Sequence, residues 1–585
     1  MYGKLPSKSY HKGVKGDILM VNLKINNIDV CVKEETTILE ACKKAGINIP
    51  TLCHMTMPHG VLGNCKGSCR VCVVEVKGKS KLVTACSESV KEGMEVITNS
   101  TKVLETRKNI VELLLSNHPN DCLTCDRNLT CELRKLAADL DINRELYKGE
   151  KNKFPKDNSS VVLKRDMNKC ILCRRCVVAC REIQNTNILT PINRGFETKI
   201  GAFLDKPISE TNCTYCGQCV GVCPTGALTE VMDYRKIPKL IEDPEKFVIV
   251  QMAPAVRVAL CEEFGAKSNE ITTGKIVAAL KLLNFNKVFD TNFSADLTIM
   301  EEAKEFINKL EEKKDLPLIT SCCPAWIRFA ELNYKDEMKH ISSCKSPQQM
   351  FGAIAKSYLA DKYKIKKENM VVVSVMPCIA KKYEAKREEL AGDVDVVITT
   401  RELAKLIMKN SIDIINIKEE EFDNPLGVST GAGMLFGSSG GVMEAALRTA
   451  YELITKKDLE KVDFTEVRGL KGIKEATINL SDKSINIAVV SSLKNADKIM
   501  KEIKEGNCKY DFIEVMACPG GCINGGGQPY IKYSREKLEE RMNAVYEKDK
   551  NSEIRKSHEN PVIKEIYEEF LDEDKAHELL HVKYK

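Results

Sequence analysis

A four-cysteine pattern appears twice in this chain, first as Cys170-x2-Cys173-x2-Cys176-x3-Cys180 and then as Cys213-x2-Cys216-x2-Cys219-x3-Cys223 followed by Pro224. No other feature restricts the fold as strongly. Sixteen of the 26 cysteines lie between Cys53 and Cys223. The N-terminal stretch MYGKLPSKSYHKGVKGD is basic but lacks the apolar segment of a secretory signal. No run of about 18 apolar residues spans a bilayer. The expected location is therefore cytoplasmic with no membrane partner, and there thiols stay reduced. Reduced thiols crowded at short spacing are expected to hold metal.

The spacing discriminates among soft metals. Two C-x2-C-x2-C-x3-C runs form the bacterial ferredoxin pattern, in which the last cysteine of each run ligates the other cluster. Cys170, Cys173, Cys176 and Cys223 are thus expected to hold one cubane, and Cys213, Cys216, Cys219 and Cys180 a second. Paired zinc ribbons are the competing reading, but structural zinc sites usually show two separated ligand pairs. Upstream, Cys69-x2-Cys72 with Cys86 and Cys53 resembles a plant-type ferredoxin, as in the electron-entry domains of complex I. Cys65 competes with Cys53 as fourth ligand, and spacing does not separate them. His118-x3-Cys122-x2-Cys125-x5-Cys131 reads equally as a zinc knuckle. Its position between ferredoxin-like modules makes it resemble the cubane domain with one histidine and three cysteine ligands found in the same large redox enzymes.

At 585 residues the chain suggests about four domains. Its 43% hydrophobic and 29% charged residues are those of an ordinary folded protein. A net charge of +6 without a basic, aromatic stripe gives no sign of nucleic acid. From Met20, alternating residues around Asn26-Asn27 predict a strand pair, then TILEACKKAGI a helix, VCVVEV a strand and TRKNIVELLLSNHP a second helix. Beyond Asp233, seven apolar runs (KFVIVQMAP, KVFDTN, LPLITSCCP, MVVVSVMPC, VDVVITT, NIAVVSSL, FIEVMACPGG) alternate with amphipathic helices and predict a partly parallel α/β sheet. The expected organisation is multidomain, α+β and α/β: a tail (1–18), a [2Fe-2S] domain (19–98), a His/Cys3 [4Fe-4S] domain (99–150), a 2[4Fe-4S] domain (151–234) and a mixed α/β catalytic domain (235–585). The last ends in a charged helical segment from about residue 535.

Three strand-to-loop junctions in the last domain carry cysteines: TSCCPAW from Thr320, MPCIAKKYE from Met376 and EVMACPGGCINGGGQP from Glu514. In this order they resemble the active-site signatures of [FeFe]-hydrogenases, and the chain from about residue 20 onward resembles the large clostridial monomeric members. The resemblance implies an H-cluster, a cubane on Cys323, Cys378, Cys518 and Cys522, bridged through Cys522 to a diiron unit with carbon monoxide, cyanide and a dithiolate amine. It further implies that Lys381 hydrogen-bonds a cyanide and that Gln348, Ala253 and Pro254 line the other ligands. Met376 and Met516 pack around the cluster, though ordinary core is an equal reading for them.

Cys322 would pass protons to and from the amine, with Glu302, Ser342 and Glu305 completing the relay. Read without the family, the two glutamates are a solvated helix edge. The cofactor complement implied is one [2Fe-2S] cluster, three accessory [4Fe-4S] clusters and the H-cluster, about 20 irons in all. Plant-type clusters near −400 mV match the proton/hydrogen couple at neutral pH. Ferredoxin or flavodoxin would be the electron carrier, and hydrogenase maturation proteins the assembly partners. Two other readings stay open: a relative without the diiron unit serving electron transfer or cluster assembly, and a low-turnover hydrogen sensor. Ala325 stands where the family usually has glycine, which puts the mobility of the Cys322 loop in question. TGAGMLFGSSGG, from Thr430, lacks the third glycine of a dinucleotide fingerprint and reads as a tight loop beside the cluster. Cys31, Cys42, Cys261, Cys344 and Cys508 are expected as small buried hydrophobes.

Overall fold

A computed structural model describes residues 19–58, 66–267, 270–459, 461–480 and 483–585. The N-terminal tail and Cys65 lie outside the described residues. The chain divides into two compact bodies. One comprises the residues up to His54, Lys66–Asn117 and Glu132–Glu150; the other contains the segment from Met55, His118–Cys131 and Lys151–Lys585.

In the first body, β1 (Met20–Ile25) and β2 (Ile28–Lys33) form an antiparallel hairpin. Its turn is Asn26-Asn27, both with positive φ, as a two-residue hairpin turn requires. Thr37 and Glu40 build a capping box that starts α1 (Ile38–Lys44). Strands β3 (Val73–Val76), β4 (Val83–Thr84) and β5 (Glu95–Ile97) complete a five-stranded sheet in the order β2-β1-β5-β3-β4. Helices α2 (Thr101–Ser116) and α3 (Glu132–Asp139) follow. The buried Arg107 of α2 donates to the Val73 carbonyl at 2.8 Å, which fixes the helix to β3.

The second body begins with the doubled cysteine pattern. Here β6 (Leu163–Arg165), α4 (Arg175–Val178), β7 (Thr190–Ile192), β8 (Lys199–Gly201), α5 (Gln218–Val222) and β9 (Leu228–Glu230) form two small antiparallel ribbons and two short helices. The repeat in sequence is also a repeat in backbone. Leu172 and Tyr215, then Arg174 and Gly217, occupy the left-handed region at matching positions of the two runs. For the three non-glycine residues this conformation costs on the order of 1 kcal/mol each, so the loops are shaped for what the thiols hold.

After α6 (Ile237–Ile241) come β10 (Phe247–Met252), α7 (Thr273–Leu282), β11 (Lys287–Asp290), α8 (Thr291–Glu312), β12 (Leu318–Ile319), α9 (Pro324–Asn333), α10 (Pro347–Ile354), α11 (Ala360–Tyr363), β13 (Met370–Met376), α12 (Ala380–Glu384), β14 (Val396–Thr399) and α13 (Thr400–Lys409). Next are α14 (Gly431–Leu435), α15 (Gly441–Thr455), β15 (Ile473–Leu480), β16 (Lys483–Ser491), α16 (Leu493–Lys504) and β17 (Phe512–Met516). The chain closes with α17 (Arg535–Lys550), α18 (Pro561–Glu569) and α19 (Glu573–Leu580).

The seven expected strands are all present, but they form two four-stranded sheets. One, β11-β10-β13-β14, is wholly parallel; the other, β12-β17-β16-β15, is mixed. The eighth strand, IKEATINL, is a hairpin partner whose charged, alternating residues conceal it beside its apolar neighbours. Every residue of β13 is buried, as befits a strand covered on both faces. TGAGMLFGSSGG is not the expected loop throughout: Thr430 caps α14, and the following turn leads into α15. Among the spare thiols Cys42, Cys261 and Cys344 are buried as expected, Cys508 is half-buried, and Cys31 is exposed on the edge strand β2.

Arg448 of α15 is fully buried and joins the C-terminal helix to the core, donating to Glu444 at 2.7 Å and to both Asp549 oxygens at 2.8 and 2.9 Å. Replacing Arg448 with alanine leaves these carboxylates short of a partner and should cost about 3 to 5 kcal/mol. A marked fall in the thermal unfolding midpoint is expected, and an unchanged midpoint would contradict this account of the junction.

Candidate functional site

Four parallel strands, β10 and β13 of one sheet and β12 and β17 of the other, end at one place. α/β proteins place their sites beyond the carboxyl ends of such strands. Just past those ends stand Ala253 and Pro254, Cys322 and Cys323, Cys378, and Cys518 and Cys522. Of these, Ala253, Pro254, Cys322, Cys378 and Cys522 line one cavity, together with Gln348, Met376, Lys381, Phe436 and Met516. Ala253, Pro254, Gln348, Met376, Lys381 and Met516, distant in sequence, thus line the same cavity. Cys323 and Cys518 are not among its lining residues. The Cys323 sulfur accepts from the Ala517 N–H at 3.5 Å, and the Cys518 sulfur from Gln218 Nε2 at 3.1 Å.

Close backbone approach makes this convergence possible. Gly521, with φ +91°, has Ser439 N only 2.4 Å from where a Cβ would stand; a Cβ on Gly526 would lie 2.8 Å from the Gly217 Cα. The second contact seats the ferredoxin-like loop against the loop that carries Cys522. Gln218 ties them further, donating to Asn524 O at 3.2 Å and accepting from the buried Tyr533 hydroxyl at 2.7 Å. Arg401, salt-bridged to Glu230 at 2.9 Å, donates to Gly526 O at 2.6 Å.

Lys381 brings an ammonium group to a cavity whose walls are mostly apolar. It donates to Cys322 O at 3.1 Å and to both Glu384 oxygens at 3.0 and 2.9 Å. Burial opposes its charge, but Glu384 outweighs burial and raises its pKa. Glu384 also accepts from Ser346 Oγ and Gln348 Nε2, each at 3.0 Å. The Gln348 Oε1 atom is buried with no hydrogen-bond partner. Sequence reasoning missed Glu384 and Gln218. The spacing of Lys381 and Glu384, three apart on a short helix, was the available signal for the first. Gln218 gave none, since its partners are some 300 residues away.

The expected relay is only partly connected. Ser342 Oγ donates to Glu305 Oε2 at 2.8 Å, whereas neither oxygen of Glu302 makes a hydrogen bond of good geometry, although the Ser342 hydroxyl and the Ser321 backbone stand near enough to oppose the rise in its pKa. Glu302 is 1% exposed, so it is not the solvated edge that composition suggests. Burial, and then the charge of Glu305, raise its pKa from 4.5 to about 8. Burial and the nearby Glu302 also push the Cys322 thiol well up, so it stays protonated. Ala325 lies in the first turn of α9, buried to 1%; a methyl suits a helix better than glycine does, and the Cys322 loop precedes it.

The accessory thiols also sort into groups. Cys170, Cys173, Cys176 and Cys223 line one cavity, and Cys180, Cys213, Cys216 and Cys219 line another, so the last cysteine of each run faces the other run's set. In the first body Cys53 is hydrogen-bonded to Cys69 and Cys86, and Cys86 to Cys72. His118 is buried, with its Nδ1 accepting from Asn120 N at 3.3 Å and its Nε2 without a partner. Burial pushes the Cys170, Cys213 and Cys216 thiols up to about 12. All described cysteines are free thiols. Sets of four buried or half-buried cysteines, and an orphaned imidazole nitrogen preceding three more, fit the cationic cores of iron–sulfur clusters, since a bound soft cation makes thiolates favourable there.

Fold and site together define an iron–sulfur redox protein. Comparison with known families makes the class narrower. "Iron only hydrogenase large subunit, C-terminal domain" matches residues 246–526, and "Iron hydrogenase small subunit" matches 535–585. A 2Fe-2S iron-sulfur cluster binding domain matches 19–101, the NADH-ubiquinone oxidoreductase-G iron-sulfur binding region 107–145, and the ferredoxin-like domain of NADH-quinone oxidoreductase subunit 3 160–229. The chain is 48% identical to the NADP-reducing hydrogenase subunit HndD of Solidesulfovibrio fructosivorans, over 97% of this chain and 99% of that one. It is 40% identical to iron hydrogenase 1 of Clostridium pasteurianum, over 97% and 100%. The structure of an apo variant of [FeFe]-hydrogenase HydA1 from Chlamydomonas reinhardtii matches 60% of this chain and 99% of its own, at 42% identity and a TM-score of 0.55. The chain belongs to the iron-only, or [FeFe], hydrogenase family.

Because folding holds Glu302 neutral, the group's contribution to stability is complete below its ordinary value of 4.5 and is lost as pH rises through about 8. Glu302→Gln, neutral at every pH, escapes that loss. The difference in unfolding midpoint, variant minus wild type, should grow across this range and level off above about 8. A difference independent of pH would contradict the raised pKa.

Proposed function

We propose that the protein catalyses the reversible reduction of protons to dihydrogen at a six-iron H-cluster fed by accessory iron–sulfur clusters. The observation that carries this reading is the meeting of Cys322, Gln348, Met376, Lys381, Met516 and Cys522 around one largely apolar cavity at the strand ends of both sheets.

Cys323, Cys378, Cys518 and Cys522 would hold the cubane, with Cys522 at the cavity wall as the bridging thiolate. When bound, the cluster supplies the redox-active metal site at which protons and electrons combine. The chain's own residues do the rest. Lys381, its charge secured by Glu384, offers donors toward anionic ligands, and Gln348 offers an unpaired carbonyl oxygen beside them. Ala253, Pro254, Phe436 and the two methionines exclude water, which strengthens those contacts. Cys322 stands at the cavity as a protonated thiol able to give and retake a proton. Glu302, neutral near pH 7, can pass it on through a small rotation or an intervening water to Ser342 and Glu305.

The accessory sites assigned above would hold one [2Fe-2S] and three [4Fe-4S] clusters, with His118, Cys122, Cys125 and Cys131 as one ligand set. Gln218 links the last of these modules to Cys518. No helix of the described residues is long and apolar enough to cross a membrane, and a cytoplasmic setting suits the reduced thiols. Ferredoxin or flavodoxin is the first electron partner proposed. The similarity to HndD favours a second reading, in which a nucleotide-binding subunit delivers the electrons. This chain shows no dinucleotide fingerprint, so that chemistry would sit on another polypeptide.

Infrared spectroscopy on anaerobically matured protein tests the assignment: metal carbonyl and cyanide bands are expected, and their absence would leave only an electron-transfer or assembly role. Cys322→Ser should keep those bands and the iron content while turnover falls by well over about tenfold, within the range of a lost proton donor. Undiminished activity would remove Cys322 from the mechanism. Hydrogen evolution supported by reduced ferredoxin alone, without an added subunit, would decide for the first partner.

A further inference from the structure

The relay from Cys322 must reach solvent beyond Glu305, and two routes leave that carboxylate. On one side Glu305 Oε1 meets Lys309 Nζ at 3.3 Å, and Lys309 also donates to Lys339 O at 3.2 Å. An ammonium has three donors and no acceptor, so it offers no site for an incoming proton. On the other side lies the loop Ser342–Ser346, and against it the C-terminal segment. Lys345 N donates to Leu580 O, and Val582 N to Ser343 O, each at 2.7 Å, which pins His581 beside Ser343 and Cys344.

The hydrogen bonds at His581 run in one direction. Nε2 lies 3.0 Å from Glu301 Oε2, and Nδ1 lies 2.8 Å from Ser343 Oγ. Glu301 is held ionised, with its pKa near 2, because His581, Lys304 and Tyr567 outweigh its burial. It can only accept, so Nε2 carries the hydrogen and Nδ1 is bare. Ser343 must then direct its single hydroxyl proton at Nδ1. Its oxygen also lies 3.4 Å from Glu305 Oε2, near enough for the hydroxyl to donate there when it turns, so Ser343 stands between the ring and Glu305. The Cys344 thiol and a Glu305 oxygen lie within 4.8 Å of a ring nitrogen, and the His577 ring is stacked at 5.3 Å; Lys304 and Tyr567 contact Glu301, and Lys309 contacts Glu305.

We propose that His581 is a proton shuttle that carries protons between Glu305 and solvent by way of Ser343, giving the relay an outlet built from the C-terminal segment. The inference rests on the function proposed above. In the outward direction the Glu305 O–H bond breaks as the proton moves to Ser343 Oγ. The hydroxyl proton of Ser343 passes to Nδ1, and the imidazolium releases the Nε2 proton toward Glu301 and water. Rotation of the ring and hydroxyl restores the starting tautomer, and the inward direction reverses these steps. A neutral imidazole presents one nitrogen that accepts and one that donates, so it can take a proton on one side and give one on the other, whereas the Lys309 ammonium has donors only.

The test is His581→Ala in the fully matured enzyme, assayed for hydrogen evolution in dilute buffer. Turnover should fall by about tenfold, a modest share of what a positioned proton carrier supplies. Added imidazole should restore it, with efficiency that follows the pKa of the imidazole derivative used, and the infrared bands of the cluster should not move. Full turnover without rescue agents would overturn the proposal, as would a loss that imidazole leaves untouched, which marks a structural role. Glu305→Gln separates the two levels of argument. If it is impaired while His581→Ala is not, the shuttle fails and the relay stands; if neither is impaired, the relay falls as well.

Discussion

Sulfur buried in groups of four is the constraint on which the rest of the structure depends. A lone buried thiol behaves as a small hydrophobe, but four facing one cavity can become thiolates only around a cation, since burial and mutual repulsion both disfavour the charge. The doubled loops accept left-handed backbone at Leu172, Arg174 and Tyr215 to aim their sulfurs inward, a cost that bonds to iron can offset. The same logic governs the catalytic cavity, where three distant segments deliver Cys323, Cys378, Cys518 and Cys522. Two sheets are needed because one sheet's carboxyl edge could not surround a cluster.

Around that cavity charge is deployed sparingly. One ammonium, on Lys381, is held by one carboxylate, on Glu384, and the rest of the wall is largely apolar. The proposed traffic of electrons and protons approaches from different sides. The ferredoxin-like loop with Gln218 meets the catalytic loops behind Cys518, whereas the proton carriers, Cys322, Glu302, Ser342 and Glu305, descend along α8 toward the C-terminal segment. Separation of this kind lets the electron side remain packed backbone on backbone, as at Gly217 and Gly526, while the proton side keeps hydroxyl and carboxyl groups free to turn.

Much of this was legible in the amino-acid sequence because metal ligation leaves short-range marks. Cysteine spacing predicted that the last cysteine of each ferredoxin-like run would stand with the other run's set, as the two cavities show, and three motifs pointed to the strand ends where Cys322, Cys378 and Cys522 meet. Seven apolar runs named seven strands. What was hidden is long-range. The split into two sheets depends on which strand pairs with which, and β15 is too polar to declare itself. Glu302 looks solvated because its neighbours Glu301, Lys304 and Glu305 are charged, and only the packing of α8 against α10 and α15 makes it a buried, neutral acid. Gln218 and His581 owe their places to partners on other segments, and no local pattern distinguishes them from ordinary polar residues, whereas Glu384 leaves only its spacing from Lys381.

The central claim is that these thiols are iron ligands throughout the chain. Iron and acid-labile sulfide, determined on anaerobically matured protein, test it most directly. The account requires about twenty irons per chain. A correctly folded, monodisperse protein that takes up only a few irons, or zinc in their place, would contradict it.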